Sequence, residues 1–169
     1  MTQVAALPTR RDEDFRYADL AALTPLWPVA AEQVRVPGGE AQTMTLILAG
    51  GEAVARELVV TLGAGASFDL RVLNANGAYG RIALRAELDE GANFTLGAAQ
   101  LAAGEQVLEI VTQVVHAAPD AVSRQIVRSV AGGQASVNYL GKVLVAKGAN
   151  GTDGEQSVRA MLLDRTATA

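Results

Sequence analysis

Residues 57–70 read ELVVTLGAGASFDL, and twenty-six residues on, residues 83–96 read ALRAELDEGANFTL. At that offset Leu58 matches Leu84, Leu62 matches Leu88, Gly65-Ala66 match Gly91-Ala92, Phe68 matches Phe94 and Leu70 matches Leu96. Each copy alternates apolar and polar residues and breaks at its Gly-Ala pair. Alternation of period two puts one side of an extended chain indoors. A strand–turn–strand unit recurring at this spacing predicts a solenoid whose coils bury their apolar faces on one another. Two similar hairpins in a β-sandwich are the other arrangement such a repeat can give.

Composition supports the narrow, stacked interior. The chain of 169 residues is 50% hydrophobic but only 4% aromatic, so Val, Leu, Ile and Ala must fill the core. Seventeen glycines suit strands joined by tight turns. The net charge of −4 and the absence of any basic run longer than Arg10-Arg11 argue against nucleic-acid binding. With no cysteine there is no disulfide, thiolate ligand or thiol nucleophile, which suits a reducing compartment. Residues 20–31, the longest apolar stretch, are interrupted by Pro25 and Pro28 and too short to span a bilayer. Residues 1–7 are too short for a signal peptide. A cytoplasmic protein without membrane contact is expected.

The chain divides into a lead-in, residues 1–37, and a β-helix core, residues 38–169. Asp12 is expected to cap a short helix over residues 13–23, stopped by Pro25 and Pro28, with an irregular path to Pro37. A weak earlier copy of the repeat begins near Gly39, with Met44 in the place of Leu70 and Gln42 in the place of Phe68. Gly50-Gly51 should turn, and residues 74–80 should bend, with Asn76-Gly77 a hairpin-type dipeptide. Beyond Gly91 the period is lost but strands continue. Residues 106–116 hold Leu108, Ile110 and Val114 on one parity, Glu109 and Gln113 on the other. Residues 122–130, 135–140, 142–146 and 157–163 are the remaining strand candidates, separated by Gly132-Gly133, Gly141 and the glycines of residues 148–154.

Few constellations could carry chemistry. His116, Asp120 and Ser123 lie close in sequence, but no nucleophile-elbow motif surrounds the serine; they read as a strand-end His, a turn Asp and a strand-start Ser. Residues 63–68, GAGASF, lack the last glycine of a dinucleotide loop, and Gly141-Lys142 is followed by Val143 rather than Ser or Thr. Residues 148–156, GANGTDGEQ, resemble a single calcium-binding nonapeptide but lack tandem copies. One histidine and no cysteine leave no metal site to name. A β-helical polysaccharide lyase or hydrolase needs grouped carboxylates, yet Glu57, Asp69, Glu87 and Asp89 have no acidic counterpart in the neighbouring copy. No catalytic, cofactor-binding or metal residue is assigned, and no enzyme is expected.

Residues 8–20, PTRRDEDFRYADL, resemble the Glu-x-Trp-x-Tyr-x-Asp-Leu entry motif of SufD proteins, with Phe15 in place of tryptophan. Ser123-Arg124-Gln125 opens a segment similar to the SufB/SufD core. Gly141-Lys142, Val145, Ala149, Thr152-Asp153-Gly154, Gln156 and Met161-Leu162-Leu163 follow the G-K-x-x-V…A…T-D…Q…L-L order of that core. The resemblance to the SufB/SufD family implies a right-handed parallel β-helix. It also implies a non-catalytic SufD-like scaffold subunit that pairs with SufB and works with the SufC ATPase. The iron–sulfur cluster would be assembled by that complex, with no cofactor on this chain. In the family the Met-Leu-Leu segment is followed by more β-helix and a helical region that docks the ATPase, and neither has a counterpart before Ala169. The last strand is therefore expected to be an unpaired edge that needs a partner, more chain or self-association. The other readings are a β-helical carbohydrate-active enzyme or binding protein, or a purely structural solenoid.

Overall fold

In the computed structural model, which describes residues 6–169, the repeat folds as a β-solenoid of five coils. Each coil contributes one strand to each of two sheets. The first sheet runs β1 (Ala31–Val36), β3 (Val54–Leu62), β5 (Tyr79–Leu88), β7 (Val107–His116), β9 (Ser136–Val145). The second runs β2 (Ala41–Gly50), β4 (Ser67–Asn76), β6 (Asn93–Ala102), β8 (Val122–Ala131), β10 (Asp153–Leu162). Every ladder is parallel, so the β-sandwich of hairpins is excluded.

Register turns the sequence repeat into stacked columns. Leu58 pairs with Leu84 and Leu62 with Leu88 in the first sheet. Phe68 pairs with Phe94 and Leu70 with Leu96 in the second. The weak early copy is real, since Gln42 stands beside Phe68 and Met44 beside Leu70. The Phe68 and Phe94 rings stack at 6.2 Å, inclined by 22°, and both are buried. From the third coil the spacing lengthens: Tyr79 pairs with Val107, and Phe94 with Ser123. The added residues enter the turns, which explains why the exact repeat fades while the strands persist.

The turn after each odd-numbered strand is itself a ladder. Gly39 N donates to Ala64 O, Gly65 N to Glu90 O, Gly91 N to Pro119 O and Asp120 N to Asn150 O, all at 2.8–3.0 Å. This position is left-handed in every coil, with φ of 73°, 67°, 63°, 59° and 70° at Gly39, Gly65, Gly91, Asp120 and Gly151. Asp120 is thus the fourth coil's stand-in for glycine, a substitution that short polar side chains tolerate.

Several expectations are corrected. The helix predicted over residues 13–23 is a single 3₁₀ turn, Glu13–Phe15, and one α-helical turn, α1 (Leu20–Leu23). Asp12 caps neither, because its carboxylate accepts from Thr9 N at 2.8 Å; Asp19 caps α1 by accepting from Ala22 N at 3.1 Å. The path to Pro37 is not irregular, since β1 pairs with β3. Asn76-Gly77 does not close a hairpin: β4 and β5 lie in different sheets. Gly141 does not end a strand but sits inside β9. There a Cβ would collide with the Tyr139 hydroxyl and fall 2.6 Å from Gln156 Nε2. Strand β10 begins at Asp153, earlier than the expected 157. Of the expected lead-in, residues 1–5 lie outside the described residues, and the rest follows an ordered path across the first sheet. Among the described residues no helix is long and apolar enough to cross a membrane.

If the aromatic column holds the coils together, Phe94→Ala should cost about 3–5 kcal/mol in urea unfolding. Thr95→Ala, on the opposite face of the same strand, should stay within about 0.5 kcal/mol. A loss below about 1 kcal/mol for Phe94→Ala would show that this column is dispensable.

Candidate functional site

Three polar assemblies interrupt the apolar solenoid, a cluster inside the last coils, a column of amides in the interior and an ion pair on the outer face of the first sheet.

The inner assembly replaces four apolar columns of the second and third coils with hydrogen-bonding groups. Leu62 and Leu88 are followed by His116, Leu58 and Leu84 by Thr112, Phe68 and Phe94 by Ser123, Leu70 and Leu96 by Gln125. All four are fully buried. His116 Nε2 lies 2.9 Å from Ser123 Oγ. Thr112 Oγ1 donates to Gln125 Oε1 at 2.7 Å and shares a 2.9 Å hydrogen bond with the Tyr139 hydroxyl. With the Thr112 proton given to Gln125, Tyr139 donates to Thr112 Oγ1, lies 3.3 Å from Gln125 Oε1 and accepts from Gln156 Nε2 at 3.4 Å. Burial pushes the His116 imidazole below its ordinary range and the Tyr139 phenol above its own, so His116 is held neutral and Tyr139 protonated. Among the described residues, His116 Nδ1 and Gln125 Nε2 have no hydrogen-bond partner. The cluster therefore keeps spare donor or acceptor capacity, and it opens toward solvent at the last coil, where Tyr139 is half-buried and Gln156 exposed.

A second interior column carries amides. Asn74, Gln100 and a serine, Ser129, stack in register across β4, β6 and β8. Asn74 Nδ2 donates to Gly80 O at 2.9 Å, while Gln100 Nε2 donates to Ser129 Oγ at 3.2 Å and to Asn138 O at 3.1 Å. These side chains tie the second sheet to the backbone of the first. Sequence reasoning missed them, though Gln100 follows Asn74 by the same twenty-six residues as the apolar repeat.

The outer assembly centres on an ion pair. Arg81 Nη1 and Glu109 Oε2 are 2.6 Å apart with side chains only 4% and 2% exposed. Glu109 also accepts from the Tyr79 hydroxyl at 3.1 Å and from Asp19 N at 2.8 Å. Burial holds the Tyr79 phenol protonated, as a donor must be. Arg81 Nη2 donates to Asp14 O at 2.8 Å, and its guanidinium lies 4.6 Å from the Phe15 ring centre. Phe15 meets Trp27 edge to face at 5.8 Å. Further along the sheet Lys142 Nζ reaches Glu13 and Asp14, both at 2.8 Å. Those bonds, to Asp14 first and then Glu13, raise the lysine's pKa. The chain's N-terminal segment is thus latched across β5, β7 and β9.

His116, Asp120 and Ser123 are brought only partly together. Histidine and serine bond, but Asp120 serves the left-handed turn, and no carboxylate orients His116 Nδ1 among the described residues. A proton relay of the triad type therefore lacks its third member. No group of three or more His, Asp or Glu among the described residues could hold a metal ion. The acidic side chains that would favour a carbohydrate-active site are spread along the solenoid, and Glu109 is occupied by Arg81. What remains is a hydrogen-bonding interior whose members, Ser123, Gln125, Gly141, Gly154 and Gln156, are the motif residues named from the sequence. A Cβ at Gly154 would stand 3.7 Å from Ser123 Oγ and 3.9 Å from His116 Nε2.

Removing one member of the buried ion pair strands the other. Glu109→Ala should cost about 3–5 kcal/mol and speed proteolysis within residues 12–27, whereas Lys142→Ala, on a partly exposed pair, should cost no more than about 1 kcal/mol. Equal losses would refute this ranking. His116 gives a pH signature. Its folded form resists protonation, whereas an unfolded histidine titrates near ~6.5. Its contribution is complete above that pH and is lost as pH falls through it toward the depressed folded value. His116→Gln should flatten the decline in urea midpoint between about pH 7 and 5; an unchanged slope would exclude this assignment.

The family model for the SUF system FeS cluster assembly SufBD core domain matches residues 42–169, β2 through the final residue. No curated protein and no solved structure matches the chain significantly. The match spans four of the five coils in full and includes the inner assembly, so the chain belongs to the SufBD core family of the SUF iron–sulfur cluster assembly system.

Proposed function

We propose that this chain is a SufD-like, non-catalytic scaffold subunit that pairs with SufB and acts with the SufC ATPase in the cytoplasm. The SufBD core assigns a role in SUF iron–sulfur cluster assembly, and its family is one of scaffold and assembly proteins. The observation that carries the finer reading is a SufBD core with no cysteine in 169 residues. A subunit that accepts sulfur or holds a nascent cluster needs thiolates or equivalent soft ligands, and the interior of this one offers amides, hydroxyls and one neutral imidazole. The cluster is then cargo of the assembly, carried on the partner, with no cofactor resident here. The latched, cross-tied solenoid supplies a rigid body for pairing.

Co-expression with SufB and SufC from the same source, followed by affinity capture and size analysis, tests this. A stoichiometric complex that contains all three supports the scaffold role. Recovery of this chain alone, as a monomer, dimer or aggregate, while SufB and SufC associate without it, would overturn it.

A further inference from the structure

The outward faces of the two sheets are finished differently. On the first, the N-terminal segment covers the ladder, presenting Ala18 and Leu23 to the protein and Glu13 and Asp14 to Lys142. On the second, large apolar side chains stand open: Ile47 is 59% exposed, Leu101 48%, Ile126 46% and Met161 61%. They line one side of the sheet because each occupies an outward parity of its strand. Ile47 and Ile126, with Leu73, Ala99, Arg71 and Arg128, line an open groove of about 390 Å³ running across β2, β4, β6 and β8, and Leu101 and Met161 lie on the same face beyond it. Single exposed apolar residues are ordinary, but a contiguous row with a groove is the mark of a binding face.

Charge on this face is sorted. The outward residues at the groove and beyond include Arg71, Arg128 and Arg159 and no carboxylate, although the chain's net charge is −4. The face's acids, Asp69, Asp153 and Glu155, lie nearer the strand starts. Asp69 binds Arg71 at 2.8 Å and Glu155 lies 3.7 Å from Arg124. Arg128 is anchored to Val127 O and Ser157 O at 2.9 and 2.8 Å, which fixes a cation at the groove's edge.

We infer that this face docks an acidic amphipathic helix from a partner protein, its apolar residues seated over Leu73 and Ala99 and its carboxylates against Arg71, Arg128 and Arg159. Apolar anchors at helical spacing supply the area, and the arginines set polarity and exclude basic partners. The first sheet shows the same chemistry within the chain, where an acidic segment with short helical turns is held by Lys142 and Arg81. This inference stands apart from pairing with SufB and does not require it.

The test uses two labelled synthetic helices with one identical apolar face, flanked by glutamates in the first and lysines in the second, titrated into the full chain and followed by fluorescence anisotropy. The glutamate helix should bind at least about tenfold more tightly, a difference of about 1.4 kcal/mol, and should weaken with salt. Ile126→Glu should abolish binding, and Arg128→Glu should reverse the preference, while Arg85→Glu on the opposite sheet changes neither; thermal melting confirms that each variant is folded. Equal affinity for both helices, a preference for lysines, no binding of either, or loss of binding in Arg85→Glu would each overturn the inference. A benzophenone amino acid at Ala99 of the chain in its own cells adds an independent readout. A cross-link to an acidic helical segment supports it, and one to a second copy of this chain overturns it.

Discussion

Each strand in this molecule hydrogen-bonds to the strand one full coil away, so the number of residues per coil decides which side chains share a column. While that number is twenty-six, like sits on like: Leu84 on Leu58, Phe94 on Phe68, Leu96 on Leu70. Backbone pairing alone would tolerate any register. A slip by one residue, however, would turn every inward side chain to solvent. Hydrogen bonding fixes the distance between coils, and apolar columns fix their phase.

The fourth coil keeps the backbone ladder and the Ile110, Val114 and Val127 columns but turns four others polar. His116, Thr112, Ser123 and Gln125 occupy positions where the third coil holds Leu88, Leu84, Phe94 and Leu96. Burying hydroxyls and amides is unfavourable unless they bond to one another, and most of these do. Most of these bonds cross the interior from one sheet to the other, β7 to β8 for His116–Ser123 and Thr112–Gln125, whereas Thr112 and Tyr139 meet as ladder neighbours on β7 and β9. Gly141 and Gly154 belong to the same design. The first leaves room for the Tyr139 hydroxyl and the Gln156 amide, and a side chain at the second would press first on Val143, 3.2 Å away, at the edge of the His116–Ser123 pair.

Much of this was legible because a solenoid writes its contacts at a fixed offset. The repeat gave the fold, the parity of residues 107–116 gave the interior of β7, and Met44 gave the first coil. The failures have physical causes. Residues 13–23 carry helix-compatible side chains, but docking against β5 and β7 selects two short turns, since Asp19 N is drawn to Glu109 and Arg81 to Asp14 O. Glu109 looked like an ordinary outward polar residue, because nothing local reveals that another segment will cover it. Gly141 read as a break because glycine usually marks a turn, whereas here it answers to a crowded interior. The order of the SufBD motif was readable; that Lys142 of its late part grips Glu13 and Asp14 of the lead-in was not, because 128 residues separate Lys142 from Asp14.

That long-range grip bears on how the outer and inner assemblies relate. Arg81 and Glu109 face outward on β5 and β7, while Ile82 and Ile110, their immediate neighbours, point into the core. Asn74 reaches from the opposite sheet to the backbone of Gly80 and, at 3.4 Å, of Glu109. One strand segment therefore receives the N-terminal latch on its outside and an amide tie on its inside. Lys142 lies on β9, one strand beyond and next in sequence to Gly141, whose missing side chain makes room for Tyr139 and Gln156. A displacement of the latch would act first on β5, β7 and β9, of which β7 contributes Thr112 and His116 and β9 contributes Tyr139 to the polar interior. The outer and inner assemblies are consequently two faces of one mechanical unit that share β7 and β9, with β8 and β10 completing the inner one.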